Sequence, residues 1–149
     1  VADCVPVLLA APEGRGVAAV HAGWRGLAAR ILAAAVEKLC ELASVAPSDL
    51  TAAAGPAIGP CCYEVDRDVG QRIASPSPAG VLGPVYGEDK VRADVHRATV
   101  NQLCDAGLPA SRVEAMRVCT RCHPWLLHSY RRNGPRAGRQ LGFILGSSH

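Results

Sequence analysis

Two short apolar runs joined by a tight turn constrain this chain more than any other feature. Cys4 to Ala10 reads as a buried strand with Pro6 near its start, and Val17 to His21 as a second. Pro12-Glu13-Gly14-Arg15-Gly16 turns the chain between them. If Ala11 pairs with Gly16, then Pro6 pairs with His21. Cys4 is then the diagonal neighbour of His21 on one face, within reach of a shared ion. A one-residue slip would put the two on opposite faces, so the register decides whether they meet. Beyond His21 the chain passes through Ala22-Gly23-Trp24-Arg25-Gly26 into a helical pattern. The glycines there let backbone approach a ligand closely, and helix N-terminal N–H groups together with Arg25 favour an anion.

The remaining chain alternates helical and strand patterns. Leu27 to Leu42 predicts one helix, with Leu27, Ile31, Ala35, Leu39 and Leu32, Val36, Cys40 on adjacent stripes. Pro47-Ser48-Asp49 interrupts it, and Thr51 to Ala54 is a short strand. Gly55-Pro56-Ala57-Ile58-Gly59-Pro60-Cys61-Cys62-Tyr63-Glu64 is a stiff, specific loop because its glycines and prolines restrict the backbone. A helix with Val65, Val69 and Ile73 on one face is expected next, and then a Pro/Gly-rich surface loop from Ser75 to Lys90. Asp94 caps a helix running to about Ala106, with Val100, Leu103 and Cys104 facing in and Gly107 ending it. Arg112 to Val118 reads as a strand, Cys119 to Pro124 and Asn133-Gly134 as turns, and Gln140 to Leu145 as a final strand. With no internal repeat and no second domain, this order predicts one layered α/β (α+β) domain over residues 1–149.

Composition excludes several classes of function. With 49% hydrophobic and 19% charged residues among 149, the chain is globular and large enough for a real core. A formal charge of +3 is too mild for a nucleic-acid partner, and the arginines are scattered apart from a loose group between Arg131 and Arg139. No apolar run approaches the roughly 18 residues of a membrane span. Val1 opens inside an apolar segment, so an N-terminally truncated chain is expected. Seven cysteines are an odd number in a chain too large to need staples, which points to a reduced, cytoplasmic setting with Cys40 and Cys104 as buried thiols. No feature sets an oligomeric state, and a monomer is the default expectation.

Read from the residues alone, Cys4 and His21 are either metal ligands or a buried thiol and a core histidine. Thiolate and imidazole suit Zn²⁺, whose catalytic sites use three protein ligands and leave one position open. Cys119-x-x-Cys122 is half a zinc site, a redox pair or a purely structural turn. No second C-x-x-C exists, and the adjacent Cys61-Cys62 is a poor complement, so the structural turn is the expectation. His96, His123 and His128 are expected at the surface, His149 is terminal, and Ser129 has no triad partners.

Ala2-Asp3-Cys4-Val5-Pro6-Val7, His21-Ala22-Gly23-Trp24-Arg25-Gly26, Gly55 to Val65, and Ser129-Tyr130-Arg131-Arg132 with Gly138-Arg139-Gln140 follow one another in that order. The set closely resembles the bacterial laccase-domain family, first labelled polyphenol oxidases and later understood as purine nucleoside phosphorylases with adenosine deaminase activity. The resemblance covers nearly the whole chain. It implies a layered α/β sandwich of mixed sheet with flanking helices, a metal on Cys4 and His21, and a further histidine upstream of the A-D-C motif. It also implies phosphorolysis of adenosine, inosine and methylthioadenosine, with purine nucleoside and phosphate as partners. Within that reading Arg25 is the candidate for steadying phosphate, and Asp3 for orienting a ligand, moving a proton or making a structural hydrogen bond. Copper is the alternative to zinc by affinity order. A multicopper oxidase, however, needs closely spaced histidine pairs, and this chain has five histidines and no His-x-His. A copper-dependent polyphenol oxidase therefore ranks below phosphorolysis, and a non-catalytic metal-binding domain stands as the third expectation.

Overall fold

The register drawn from the turn is the register of the fold. In the computed structural model, which describes residues 1–87 and 89–146, the Ala11 N–H donates to Gly16 O at 2.9 Å. The antiparallel strands β1 (Val5–Ala10) and β2 (Val17–Ala22) set Pro6 opposite His21. His149 lies outside the described residues. The chain continues through helices α1 (Trp24–Ala28) and α2 (Ile31–Ala43), strands β3 (Thr51–Ala54) and β4 (Glu64–Asp66), and helix α3 (Arg67–Ala74). Strands β5 (Leu82–Tyr86) and β6 (Lys90–Ala93), helix α4 (Val95–Asp105), strand β7 (Val113–Ala115) and the short helix α5 (Tyr130–Asn133) complete it.

Strand β1 lies inside a four-stranded mixed sheet of order β2-β1-β3-β7, in which only the β3–β7 pair is parallel. Val5, Val7 and Leu9 are fully buried at alternate positions, and Ala52 and Ala54 extend that face across β3. Helices α2 and α4 cover it with Leu32, Val36 and Leu39 from the first and Ala98, Thr99 and Leu103 from the second. Each large side chain so buried contributes about 1.5–3 kcal/mol. A second, antiparallel sheet of order β4-β6-β5 packs with α3, burying Val65, Ile73 and Val91. The layered α/β arrangement with mixed sheet and flanking helices is as expected. No helix among the described residues is long and apolar enough to cross a membrane.

Several local expectations are corrected. The helix expected over Leu27 to Leu42 is two helices, broken where Arg30 adopts a left-handed φ of 58°. Leu27 and Leu32 are both fully buried, yet on one continuous helix they would point about 140° apart. The break lets both reach the core, and Leu27 O there accepts from the Arg30 N–H at 3.1 Å and from Gln102 Nε2 on α4 at 2.8 Å. Val65 belongs to β4 rather than to a helix face. The segment read as a loop from Ser75 to Lys90 contains β5, whose pairing with β6 is irregular between Leu82 and Val85, around Gly83-Pro84. Strand β7 is shorter than Arg112 to Val118. Gln140 to Leu145 forms no strand: Gln140 exchanges two backbone hydrogen bonds with Val1, and Leu141, Phe143 and Leu145 face outward. Cys40 and Cys104 are half-buried rather than fully buried.

His96, expected at the surface, is 2% exposed. Its Nε2 hydrogen-bonds Gly55 O at 3.0 Å, tying α4 to the loop after β3. His123 and His128 are exposed as expected. Asp94 caps α4 by accepting from the Arg97 N–H at 2.8 Å, and Gly107, at φ 102°, ends that helix.

Candidate functional site

Because Pro6 faces His21 across the hairpin, the segment preceding β1 lies over the end of β2 where the chain turns into α1. Gly23 stands between them. A methyl group built on Gly23 would lie 3.1 Å from Cys4 Sγ and 3.6 Å from His21 Nε2. The two donor atoms therefore converge on one small space that only a glycine leaves open. Burial first, and the Asp3 carboxylate second, push the Cys4 thiol up. A cation set between sulfur and imidazole reverses that balance, since metal-bound thiols are deprotonated. A soft thiolate and an imidazole nitrogen are a donor set that fits zinc or copper.

The pair opens onto a cavity of about 600 Å³ lined by Asp3, Trp24, Tyr63, Tyr130, Arg131 and Arg139 among others. Asp3 holds the floor in a left-handed conformation, φ 84°. Its carbonyl accepts from the Ile58 N–H at 2.9 Å. Its two carboxylate oxygens accept from Thr120 Oγ1 and the Arg131 N–H, each at 2.6 Å. Arg131 reaches across to Glu64 O at 2.8 Å, and its guanidinium lies 5.2 Å from the centre of the Tyr63 ring. Burial pushes the Tyr63 phenol up against the opposing pull of that guanidinium.

Of the residues singled out from sequence, Asp3, Cys4 and His21 come together in this cavity, and Arg25 does not line it. Arg25 stacks over Trp24 at 4.5 Å and lines a neighbouring cleft of about 440 Å³ with Arg72 and Ser75. Trp24 is the wall between the two spaces. Sequence reasoning gave no role to Tyr63, Tyr130, Arg131 or Arg139. Their signal was present, because all four stand in the ordered motifs that carry the family resemblance.

A second cluster overturns the reading of Cys119-x-x-Cys122 as an isolated structural turn. Cys61, Cys62, Cys119 and Cys122 bring their sulfur atoms within 4.8 Å of one another and can hold a metal ion. Burial pushes the Cys119 thiol up, but hydrogen bonds from the backbone N–H groups of Gly59 and Cys122 and from neighbouring thiols outweigh it and lower it to about 7. Cys61 is raised by burial and by hydrogen bonds to Cys119, Cys122 and Cys62.

Fold and site together define a layered α/β domain that gathers thiol and imidazole donors at a cavity walled by aromatic rings and arginines. The chain belongs to the multi-copper polyphenol oxidoreductase laccase family, whose model it matches over residues 1–147. The purine nucleoside phosphorylase YlmD of Geobacillus stearothermophilus is 39% identical over 149 residues, covering 96% of this chain and 53% of that protein. The crystal structure of YlmD from Geobacillus stearothermophilus superposes with a TM-score of 0.82 at 37% identity, over 89% of this chain and 50% of that one. The adenosine deaminase RL5 of an unknown prokaryotic organism is 34% identical over 142 residues, 93% of this chain and 53% of that protein. The chain thus spans about half the length of these relatives.

Proposed function

We propose that the protein containing this chain is a zinc-dependent purine nucleoside phosphorylase acting on adenosine, inosine and methylthioadenosine, with adenosine deaminase activity. The observation that carries this reading is the convergence of Cys4 Sγ and His21 Nε2 over Gly23, at a cavity with aromatic walls and two arginines. Similarity to a phosphorylase and to a deaminase supplies the reaction classes. Cys4 and His21 would hold the ion, which when bound supplies a Lewis acid or an activated water.

The chain's own residues take the remaining tasks. Trp24, Tyr63 and Tyr130 offer ring faces on which a purine stacks. Arg131 and Arg139 place positive charge in the same space for phosphate, and Arg25 adds a guanidinium on the far side of Trp24. In phosphorolysis a phosphate oxygen bonds to the ribose anomeric carbon, the bond to the base nitrogen breaks, and the departing base takes up a proton. Asp3 is a positioning residue here, since both of its carboxylate oxygens are engaged in holding Thr120 and Arg131.

The test is chromatography of full-length protein incubated with adenosine, with and without phosphate. Adenine and ribose 1-phosphate should form only with phosphate, and inosine in either case. If neither base nor inosine forms while phenols are oxidised with added copper, a copper-dependent polyphenol oxidase replaces this reading.

A further inference from the structure

Sixty residues of chain separate Cys62 from Cys122, yet the sheet itself brings them together. The parallel pairing of β3 with β7 does not stop at the strand ends. The Met116 N–H donates to Ala54 O at 2.8 Å, Ala57 bridges Cys119, and the Thr120 N–H donates to Ala57 O at 3.0 Å. The two segments run side by side until both turn. The first turns at Gly59, whose carbonyl accepts from the N–H groups of Cys62 and Tyr63 at 2.9 and 3.0 Å. Because Cys61 and Cys62 sit in a turn and not in a strand, they need not point to opposite sides. Their sulfur atoms lie 3.7 and 3.4 Å from Cys122 Sγ.

These distances discriminate between chemistries. A disulfide requires about 2.05 Å between sulfurs, and all seven cysteines are free thiols. Four thiolates at about 2.3 Å from a tetrahedral zinc are about 3.8 Å apart, and here all four fall within 4.8 Å. An iron–sulfur cluster interposes bridging sulfides and spreads its thiolates further. Gly59 supplies the second observation. It is buried, and a methyl group on it would lie 3.3 Å from Cys61 Sγ and 3.5 Å from Cys119 Sγ. Its backbone is thus pressed against the sulfurs, where its N–H and that of Cys122 donate to Cys119 Sγ. Backbone N–H groups donated to sulfur orient and stabilise metal-bound thiolates.

We propose that Cys61, Cys62, Cys119 and Cys122 form a second, structural zinc site, distinct from the Cys4–His21 pair. It ties the Gly59 turn to the Cys119–Cys122 turn and so fixes the Thr120–Asp3 contact beneath the cavity. Binding one Zn²⁺ releases up to four thiol protons to solvent and changes no oxidation state. The ligand set is complete within this chain and does not depend on the activity proposed above.

The experiment is elemental analysis of zinc in the full-length protein, purified without added metal and under reducing conditions. Wild type should carry one more zinc than Cys62→Ser/Cys122→Ser, and the double variant should keep whatever zinc Cys4 and His21 hold. Conversely, Cys4→Ser/His21→Ala should retain the tetrathiolate zinc. Cobalt(II) added to the apoprotein should give intense sulfur-to-metal charge-transfer absorption in the Cys4→Ser/His21→Ala variant, and that absorption should be lost when Cys62→Ser/Cys122→Ser are added to the same variant. An unchanged zinc count in Cys62→Ser/Cys122→Ser overturns the proposal. If that variant does not fold, mercurial titration of wild type decides: zinc released only as about four thiols react supports the site. Release of no zinc, or recovery of these four cysteines as two disulfides, overturns it. A protein inactive on nucleosides that still carries this zinc refutes the phosphorylase reading alone.

Discussion

Thr120 Oγ1 donates to Asp3 Oδ1 at 2.6 Å across 117 residues of chain, joining the segment before β1 to the cysteine-bearing turn. Thr120 is fully buried, so water cannot replace the bond. Thr120→Val keeps the shape and removes the hydroxyl. A hydrogen bond to a charged group is worth about 1.5–3 kcal/mol, and a loss of about 2 kcal/mol is expected in urea unfolding. Asp3 keeps the Arg131 N–H, so the variant should fold, with a higher KM for phosphate through a loosened Arg131.

Gly23→Ala tests the metal reading without touching a ligand. Gly23 has φ −82° and ψ 170°, a conformation alanine adopts freely, so the backbone is not strained. The added methyl would sit 3.1 Å from Cys4 Sγ, inside the space where the donors converge. Zinc affinity at Cys4–His21 should fall about tenfold or more, on the order of what outer-shell changes cost. Competition with a chromophoric chelator measures it, and the melting temperature should change little.

How much of this was legible in the sequence follows the range of the interactions. The hairpin register was readable because it depends on one short turn, and with it came the meeting of Cys4 and His21. The cap at Asp94 and the stop at Gly107 are equally local. The break at Arg30 left no mark, since neither glycine nor proline stands there and the demand comes from a core that Leu27 and Leu32 both enter. His96 was misplaced because its partner, Gly55 O, is 41 residues away. The four-cysteine cluster required the parallel pairing of β3 with β7, a contact that spacing between motifs does not encode.

Arg25→Lys retains charge at the turn into α1 but removes the planar group that stacks on Trp24 at 4.5 Å. If Arg25 steadies phosphate, the loss of bidentate geometry should raise the KM for phosphate by several-fold and leave that for nucleoside nearly unchanged. Equal rises in both constants would mean that Arg25 acts through Trp24 on the cavity wall instead.

Arg30 holds φ 58° at the exposed junction of α1 and α2. A left-handed conformation costs a non-glycine residue about 1–2 kcal/mol, and glycine's extra freedom in the unfolded chain returns about 0.5–1 kcal/mol of that. Arg30→Gly should therefore stabilise the protein by about 0.5–1 kcal/mol, whereas Arg30→Ala should give no such gain. If glycine destabilises, the two-helix junction is not as described.

His96 makes stability depend on pH in a direction its surroundings dictate. Burial lowers its pKa from the ordinary 6.5, against the raising effects of its backbone bond to Gly55 and of the nearby Asp94 carboxylate, while Arg117, paired with Asp94, lowers it further. Well above pH 6.5 the ring is neutral both folded and unfolded, and its contribution is constant. Below it the unfolded chain binds a proton that the native protein refuses, so stability falls as pH falls, with a slope approaching one proton. His96→Gln can still donate to Gly55 O but cannot titrate. Urea midpoints of wild type and His96→Gln should run parallel from pH 8 to about 7 and diverge below pH 6.5, wild type losing more stability at each step. Carboxylates common to both proteins cancel in the difference. Parallel curves down to pH 5 would mean that His96 takes up its proton in the folded state as readily as in the unfolded one.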